Sequence, residues 1–420
     1  MISMNTRTIV EYILAAIIVL ILGSLAGWYF FLRTQNDTTA SQSAARGFGS
    51  TVPLGNADGS ARSFSPGTTD SSAAQSAEAL PRPPQLWQVE GKAVAGQIFI
   101  GSGSTLRLRY VERGSGYVFE ADPETGRVVR LSNTLLPKIY EALLSENGHI
   151  YERSLDGGGA ITTFVGTIAT STDATSTTSQ TLLGSYLAKN ISNMSVHSTS
   201  GGLFYLVQNG LGTTGTSAEW NGNKQKTIFS STIIHWQPSI LEDGRIILSQ
   251  AAADTMPGYA YELKSDGSLT TLLGPIAGLV ALVRSTSGAS ASHALLWSQS
   301  VRGSLSLFVR PDQNASSVTL PIKTLADKCV WARTGDPIAY CGVPQGSIGQ
   351  NFLDEWYRGA AHSSDALWRI DARGGSAEQV YTPPSNTPID VDDMVIDKSG
   401  NYLAFKNAAD GSLWIMRLTK

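Results

Sequence analysis

Charge is scarce in this 420-residue chain: 31 Lys and Arg with 34 Asp and Glu make up 15% of it, against roughly 25% in ordinary soluble proteins. The net charge of -3 leaves no basic excess. Binding to a polyanion through counterion release needs clustered Lys and Arg, so nucleic acid is excluded as a partner. Two cysteines exclude a disulfide-framework fold and a thiolate metal cluster and leave room for one bridge. The five histidines, His149, His197, His235, His293 and His362, stand apart, with no H-x-x-x-H or H-E pair to bring two imidazoles onto one metal. The G-x-S-x-G elbow of serine hydrolases is missing. No cofactor, metal or catalytic group is therefore expected from motifs.

One long apolar run is present. Residues 12–32, YILAAIIVLILGSLAGWYFFL, carry no charge, and at about 1.5 Å per residue they match a hydrocarbon core of about 30 Å. A cleaved signal peptide is the competing reading, with Ser24-Leu25-Ala26 as the small-residue site. Signal-peptide cores run only about 7 to 15 residues, whereas this run continues through Trp28, Tyr29, Phe30 and Phe31, aromatics suited to a membrane interface. The expectation is a short tail, residues 1–11, then a single transmembrane helix, residues 12–32, with the N-terminus cytoplasmic and the C-terminal domain outside. The stretch TRTIVEYILAAIIVLIL also resembles a type IV pilin leader, with Glu11 in the place of the helix glutamate. Thr6 stands where that family has its cleaved glycine.

Residues 33–86 are rich in Ser, Thr, Ala, Gly and Pro, with Phe48 and Phe64 as the aromatics. Such a segment cannot bury enough apolar area to offset its chain entropy, so a disordered tether is expected. A flexible chain of that length has an r.m.s. reach on the order of 40 Å.

From residue 87 to 420 no window sustains a 3.6-residue apolar period. Short runs of Val, Ile, Leu, Tyr and Phe instead recur between Gly, Asp, Asn and Ser clusters, the pattern of an all-β domain with many short strands. The first run of each unit starts near Val94, Lys138, Ile191, Ile233, Leu279, Asp327 and Val391, at spacings of 42 to 64 residues. Four strands per unit at about that period predict a β-propeller. About seven blades are expected, with six or eight also compatible. The last unit supplies three strands before Lys420, and a strand near Leu86 to Val89 is available to complete it and close the ring.

The segments DKSGNYLAF and DGSLWIMRL, with Asp397, Gly400, Asp410, Gly411 and Trp414 as landmarks, resemble TolB-like and WD-type propeller repeats. The layout of one span, a tether and a propeller is also similar to uncharacterised bacterial membrane-anchored propeller proteins. Neither resemblance implies an activity.

Cys329 and Cys341 bracket CVWARTGDPIAYC, read as a hairpin turning at Thr334 to Pro337, which places the two cysteines almost opposite each other. A disulfide and two buried thiols are both open. In a propeller, loops leading into the first strands share a face with loops joining second and third strands. The longest of the latter, residues 342–364, holds Asp354, Glu355, Trp356, Tyr357 and Arg358. Rings flanked by both charge signs suit a binding surface. The alternative is that Trp356 and Tyr357 fold back over the channel. The same face would present Lys138, Asn193, His235, Lys328, Asp392 and Asp393 at the channel mouth. Asp390, Asp392, Asp393 and Asp397 lack the spacing of a calcium loop, and strand alternation would send Asp392 and Asp393 to opposite faces.

The function expected is a protein- or glycan-binding module of the cell envelope, anchored in the membrane. The alternative is an envelope hydrolase acting on polysaccharide or peptidoglycan fragments at the channel mouth, with carboxylates from separate blades.

Overall fold

Each recurring unit becomes one four-stranded antiparallel sheet, and seven such sheets are present. A computed structural model describes residues 82–170, 180–285 and 292–419. The expected span at 12–32, and the expected tether as far as residue 81, lie outside them. Among the described residues, no helix is long and apolar enough to cross a membrane.

Blades 1 to 6 are consecutive in the chain, at residues 94–130, 141–186, 191–231, 236–277, 280–319 and 329–381. Blade 7 takes three strands from residues 391–417, and its outer strand is Leu86–Glu90 from the other end of the domain. That strand pairs antiparallel with Leu413–Arg417, Leu86 opposite Met416 and Trp87 opposite Ile415. The ring is thus closed by hydrogen bonds between the two ends of the domain. No blade is left one strand short and edge-exposed.

Burial follows position in the blade. The second strand of blade 5, HALLWSQSV, is buried over nearly its whole length because both of its faces pack on neighbouring blades. Outer strands such as VVR at Val128–Arg130 are exposed throughout. The turns repeat one device. Asp397 takes the backbone N–H groups of Ser399, Asn401 and Tyr402 on its carboxylate at 2.9, 2.6 and 2.6 Å. Gly400 closes the same turn in the left-handed region at φ 73, and Asp410 with Gly411 (φ 75) does likewise.

Loops leading into inner strands and loops joining second to third strands form the upper face. Turns joining first to second strands form the lower face. Cys329 stands directly opposite Cys341 in the hairpin of blade 6, and the two are joined as a disulfide.

Candidate functional site

The long upper loop of blade 6 contains a short helix, Phe352–Tyr357. Its apolar residues Phe352, Leu353 and Trp356 are buried in the core shared by blades 5 and 6, so the loop is folded onto the ring. Asp354 ties it further: its carboxylate accepts from the Asp254 N–H of blade 4 at 3.1 Å.

Beneath that helix lies a buried charge network. Lys328, fully buried, donates to Asp365 at 2.7 Å, to Ser363 Oγ at 2.7 Å and to Asp390. Trp356 Nε1 donates to Asp390 at 3.0 Å, and His362 Nδ1 lies 2.9 Å from the same carboxylate. The Lys328 ammonium also sits 5.0 Å from the Trp356 ring centroid. Burial raises the Asp365 pKa, with Lys328 opposing it. At Asp390 burial pushes upward too, but Lys328, Trp356 and His362 together hold it below the ordinary carboxylate value. An ammonium committed to two carboxylates donates and does not accept. Ser363 in turn donates its hydroxyl to Asp365 at 2.8 Å and to Asp390 at 3.0 Å, and the network is a clamp joining blades 6 and 7 to the loop.

The channel rim carries a second group. Tyr357 donates its hydroxyl to Asp327. Burial raises the Asp327 pKa, the Tyr357 hydrogen bond opposes this, and the nearby Asp392 charge adds to it. Asp393 and Asp392 both face Lys406, at 3.2 and 3.9 Å. Desolvation lowers the Lys406 pKa, but the two aspartates outweigh it and push it up to about 12. Gln97 of blade 1 donates to the Asp393 carbonyl. A cavity of about 230 Å³ opens between blades 4 and 5 beside Asp327, lined by Gln237, Ser239, Gln250 and Leu282 among others.

At the lower mouth, Arg333 of blade 6 pairs with Glu146 of blade 2 and with Glu242 of blade 4 at 2.8 Å. Neither blade is its neighbour, so this arginine bridges the ring.

The exposed large apolar residues divide by face. Some lie in outer strands, such as Val128 and Leu183. The others, Leu135, Leu155, Leu211, Ile233, Ile234, Met256 and Val301, stand in upper loops or at the upper ends of hairpins. Leu211 is 89% and Met256 64% exposed. Among the described residues, none lies inside a lower-face turn, although Val128 and Leu269 open outer strands directly after such turns.

The structure redistributes the residues expected to form the site. Trp356 and Tyr357 do not present their rings outward, which corrects the expectation of a binding pair: Trp356 is 6% exposed, and both polar tips are spent on Asp390 and Asp327. Asp354 is tied to Asp254, Glu355 is half-buried, and Arg358 remains exposed. Lys328 is corrected too, from the channel mouth to the buried network, where its charge is matched by Asp365 and Asp390. Asn193 donates its amide to the Trp236 carbonyl at 2.7 Å, linking blades 3 and 4. Lys138 and His235 stand exposed on the upper face, both with positive φ (63 and 67). Asp392 and Asp393 do not point to opposite faces. A register shift follows Asp392, and Asp393 adopts φ 48, so alternation fails and both carboxylates reach one lysine. Asp365, Ser363, His362, Lys406 and Arg333 were not legible as a site, because their partners lie in other strands or other blades.

No family model matches the chain, and a search of curated proteins found no match. Among solved structures, virginiamycin B lyase from Staphylococcus aureus shares 10% identity at a TM-score of 0.47, over 80% of this chain and 99% of that one. Oligogalacturonate lyase from Vibrio parahaemolyticus shares 9% at 0.49, over 80% and 94%. A gluconolactonase from Xanthomonas campestris shares 13% at 0.36, over 80% and 89%. These likenesses concern the fold alone.

Proposed function

We propose that this protein is a binding or scaffolding module of the cell envelope, whose upper face takes a protein partner. The observation that carries this reading is the placement of the exposed loop-borne apolar residues Leu135, Leu211, Ile233, Ile234 and Met256 on the upper face. Apolar side chains held in water around one face mark an interaction surface. Exposed Lys138, His235 and Arg358 supply a polar rim to it. A glycan partner is less well served, because Trp356 and Tyr357 are turned inward.

The propeller is proposed to be built of TolB-like or WD-type repeats and to stand outside the cytoplasm on the span at residues 12–32. The turn segments DKSGNYLAF and DGSLWIMRL support the first point. The Cys329–Cys341 bridge supports the second, since disulfides persist in oxidising compartments.

Cross-linking of the full-length chain in its native membrane tests the reading, with a Leu211→Asp/Met256→Asp variant beside the wild type. The expected outcome is a protein adduct formed by the wild type and lost in the variant at unchanged melting temperature, since exposed substitutions usually shift stability by less than about 0.5 kcal/mol. Identical adducts from both chains would overturn it. Release of sugar fragments from envelope polysaccharide would move the function to the channel and favour the hydrolase.

A further inference from the structure

The lower face holds a cleft of about 180 Å³ between blades 6 and 7, lined by Arg333, Thr334, Tyr340, Arg369, Lys398 and Ser399 among others. No carboxylate lines it. Three of these groups are already engaged. Arg333 is neutralised by Glu146 and Glu242, Thr334 donates to the Lys398 carbonyl, and Ser399 donates to Asp397. The Arg369 guanidinium, the Tyr340 hydroxyl and the Lys398 ammonium have no hydrogen-bond or ion-pair partner among the described residues.

The absence of a partner is most consequential at Arg369. It is half-buried in the third strand of blade 6, opposite Tyr340 on one side and Glu378 on the other. Glu378 is exposed and forms no ion pair with it among the described residues. The other acidic groups of these elements are committed: Asp371 accepts from the N–H groups of Arg373 and Gly374, and Asp397 caps its own turn. A half-desolvated guanidinium without an anion is unfavourable, and its planar fork is shaped for two oxygens of one oxyanion. Tyr340 on the neighbouring strand and Lys398 on the next blade add donors from two further directions, which suits a tetrahedral anion better than a flat carboxylate.

We propose that this cleft binds a phosphate ester, with Arg369 holding two oxygens, Tyr340 a third, and Lys398 adding charge. Two sources share that chemistry, a soluble phosphate ester and a phospholipid headgroup. The lower face is where the chain enters the ring, since Leu86–Glu90 starts opposite Met416 at the lower end of blade 7. A lipid headgroup therefore fits if residues 12–32 span the membrane, whereas the cleft chemistry stands without that reading and without any partner on the upper face.

The test uses the full-length chain in maltoside detergent, which carries no phosphate, titrated with glycerol phosphate by calorimetry. Saturable binding is expected, weakened about tenfold or more in Arg369→Gln, as loss of a charge-assisted fork implies. Lys398→Gln, an exposed change that leaves the fold intact, should weaken it by a smaller factor, and Glu378→Gln should leave it unchanged or tighter. Nanodiscs containing phosphatidylglycerol distinguish the sources: a headgroup in the cleft lowers the apparent affinity for glycerol phosphate below that in detergent, and a soluble ligand binds equally in both. No saturable binding in the phosphate-free detergent would overturn the proposal, as would equal affinity in wild type, Arg369→Gln and Lys398→Gln.

Discussion

The Arg333 guanidinium of blade 6 lies 2.8 Å from the Glu242 carboxylate of blade 4, and the same arginine reaches Glu146 of blade 2. Contacts between adjacent blades hold any propeller together. This one joins three blades that are not adjacent, so it opposes a spreading of the whole ring at its lower end.

Replacing Arg333 by Ala should therefore destabilise the propeller beyond the effect of an ordinary surface pair. Its side chain is only 14% exposed, but Glu242 is half in solvent, which moderates the loss to about 1–2 kcal/mol. Chemical denaturation of both chains measures it. A shift no larger than that of an exposed pair such as Lys224–Glu219 would show that the bridge does not restrain the ring.

The buried Lys328 predicts a larger effect with a specific rescue. Lys328→Met leaves Asp365 and Asp390 without their cation in a site closed to water, which costs about 3–5 kcal/mol. Adding Asp365→Asn should recover part of that loss, because one uncompensated charge is then removed. Denaturant midpoints of the single and double variants decide the point, and a double variant less stable than Lys328→Met would contradict the network as described.

Different features of this molecule were legible in the sequence to different degrees, for physical reasons. The blades could be counted because each is a local object: alternating apolar runs and Asp/Asn-Gly turns lie within one stretch of chain, as in residues 391–417. The opposition of Cys329 and Cys341 follows from a short hairpin. Closure by Leu86–Glu90 was readable because one unit lacked a strand. The site was less accessible. A bulge turned Asp393 toward Lys406, and no residue type announces it. The ring of Trp356 suits a binding surface, yet its position is decided by the apolar neighbours Phe352 and Leu353, which make the helix face the core. Arg333 meets partners 91 and 187 positions away, and only the ring geometry brings them together.

Ring closure itself makes a sharp truncation prediction. Removing residues 1–81 spares every strand among the described residues, whereas removing residues 1–90 deletes the outer strand of blade 7 and exposes Leu413–Arg417 as an unpaired edge. The first chain should melt with the temperature of the full protein's propeller, and the second should melt lower and self-associate, as open edges do. Equal melting temperatures and monomeric elution of both would mean that the ring does not depend on its closing strand.

Glu152 sets a pH dependence whose sign is fixed by its surroundings. It is 1% exposed on the second strand of blade 2, and neither carboxylate oxygen has a hydrogen-bond partner among the described residues. Burial pushes its pKa from 4.5 up to about 8. Below pH 4.5 the group is protonated whether the chain is folded or not, and it costs nothing. Between pH 4.5 and about 8 the unfolded chain has released the proton while the folded chain keeps it, so stability falls as pH rises, by up to about 1.4 kcal/mol per pH unit. Above about 8 the loss is complete. Glu152→Gln keeps the shape and removes the titration, so its advantage over the wild type should grow from pH 5 to pH 8, by about 3–4 kcal/mol in total. Denaturation of both chains at the two pH values provides the comparison that isolates this residue, since Asp390 titrates in both and cancels. Parallel pH profiles for the two chains would show that Glu152 is solvated or paired in solution.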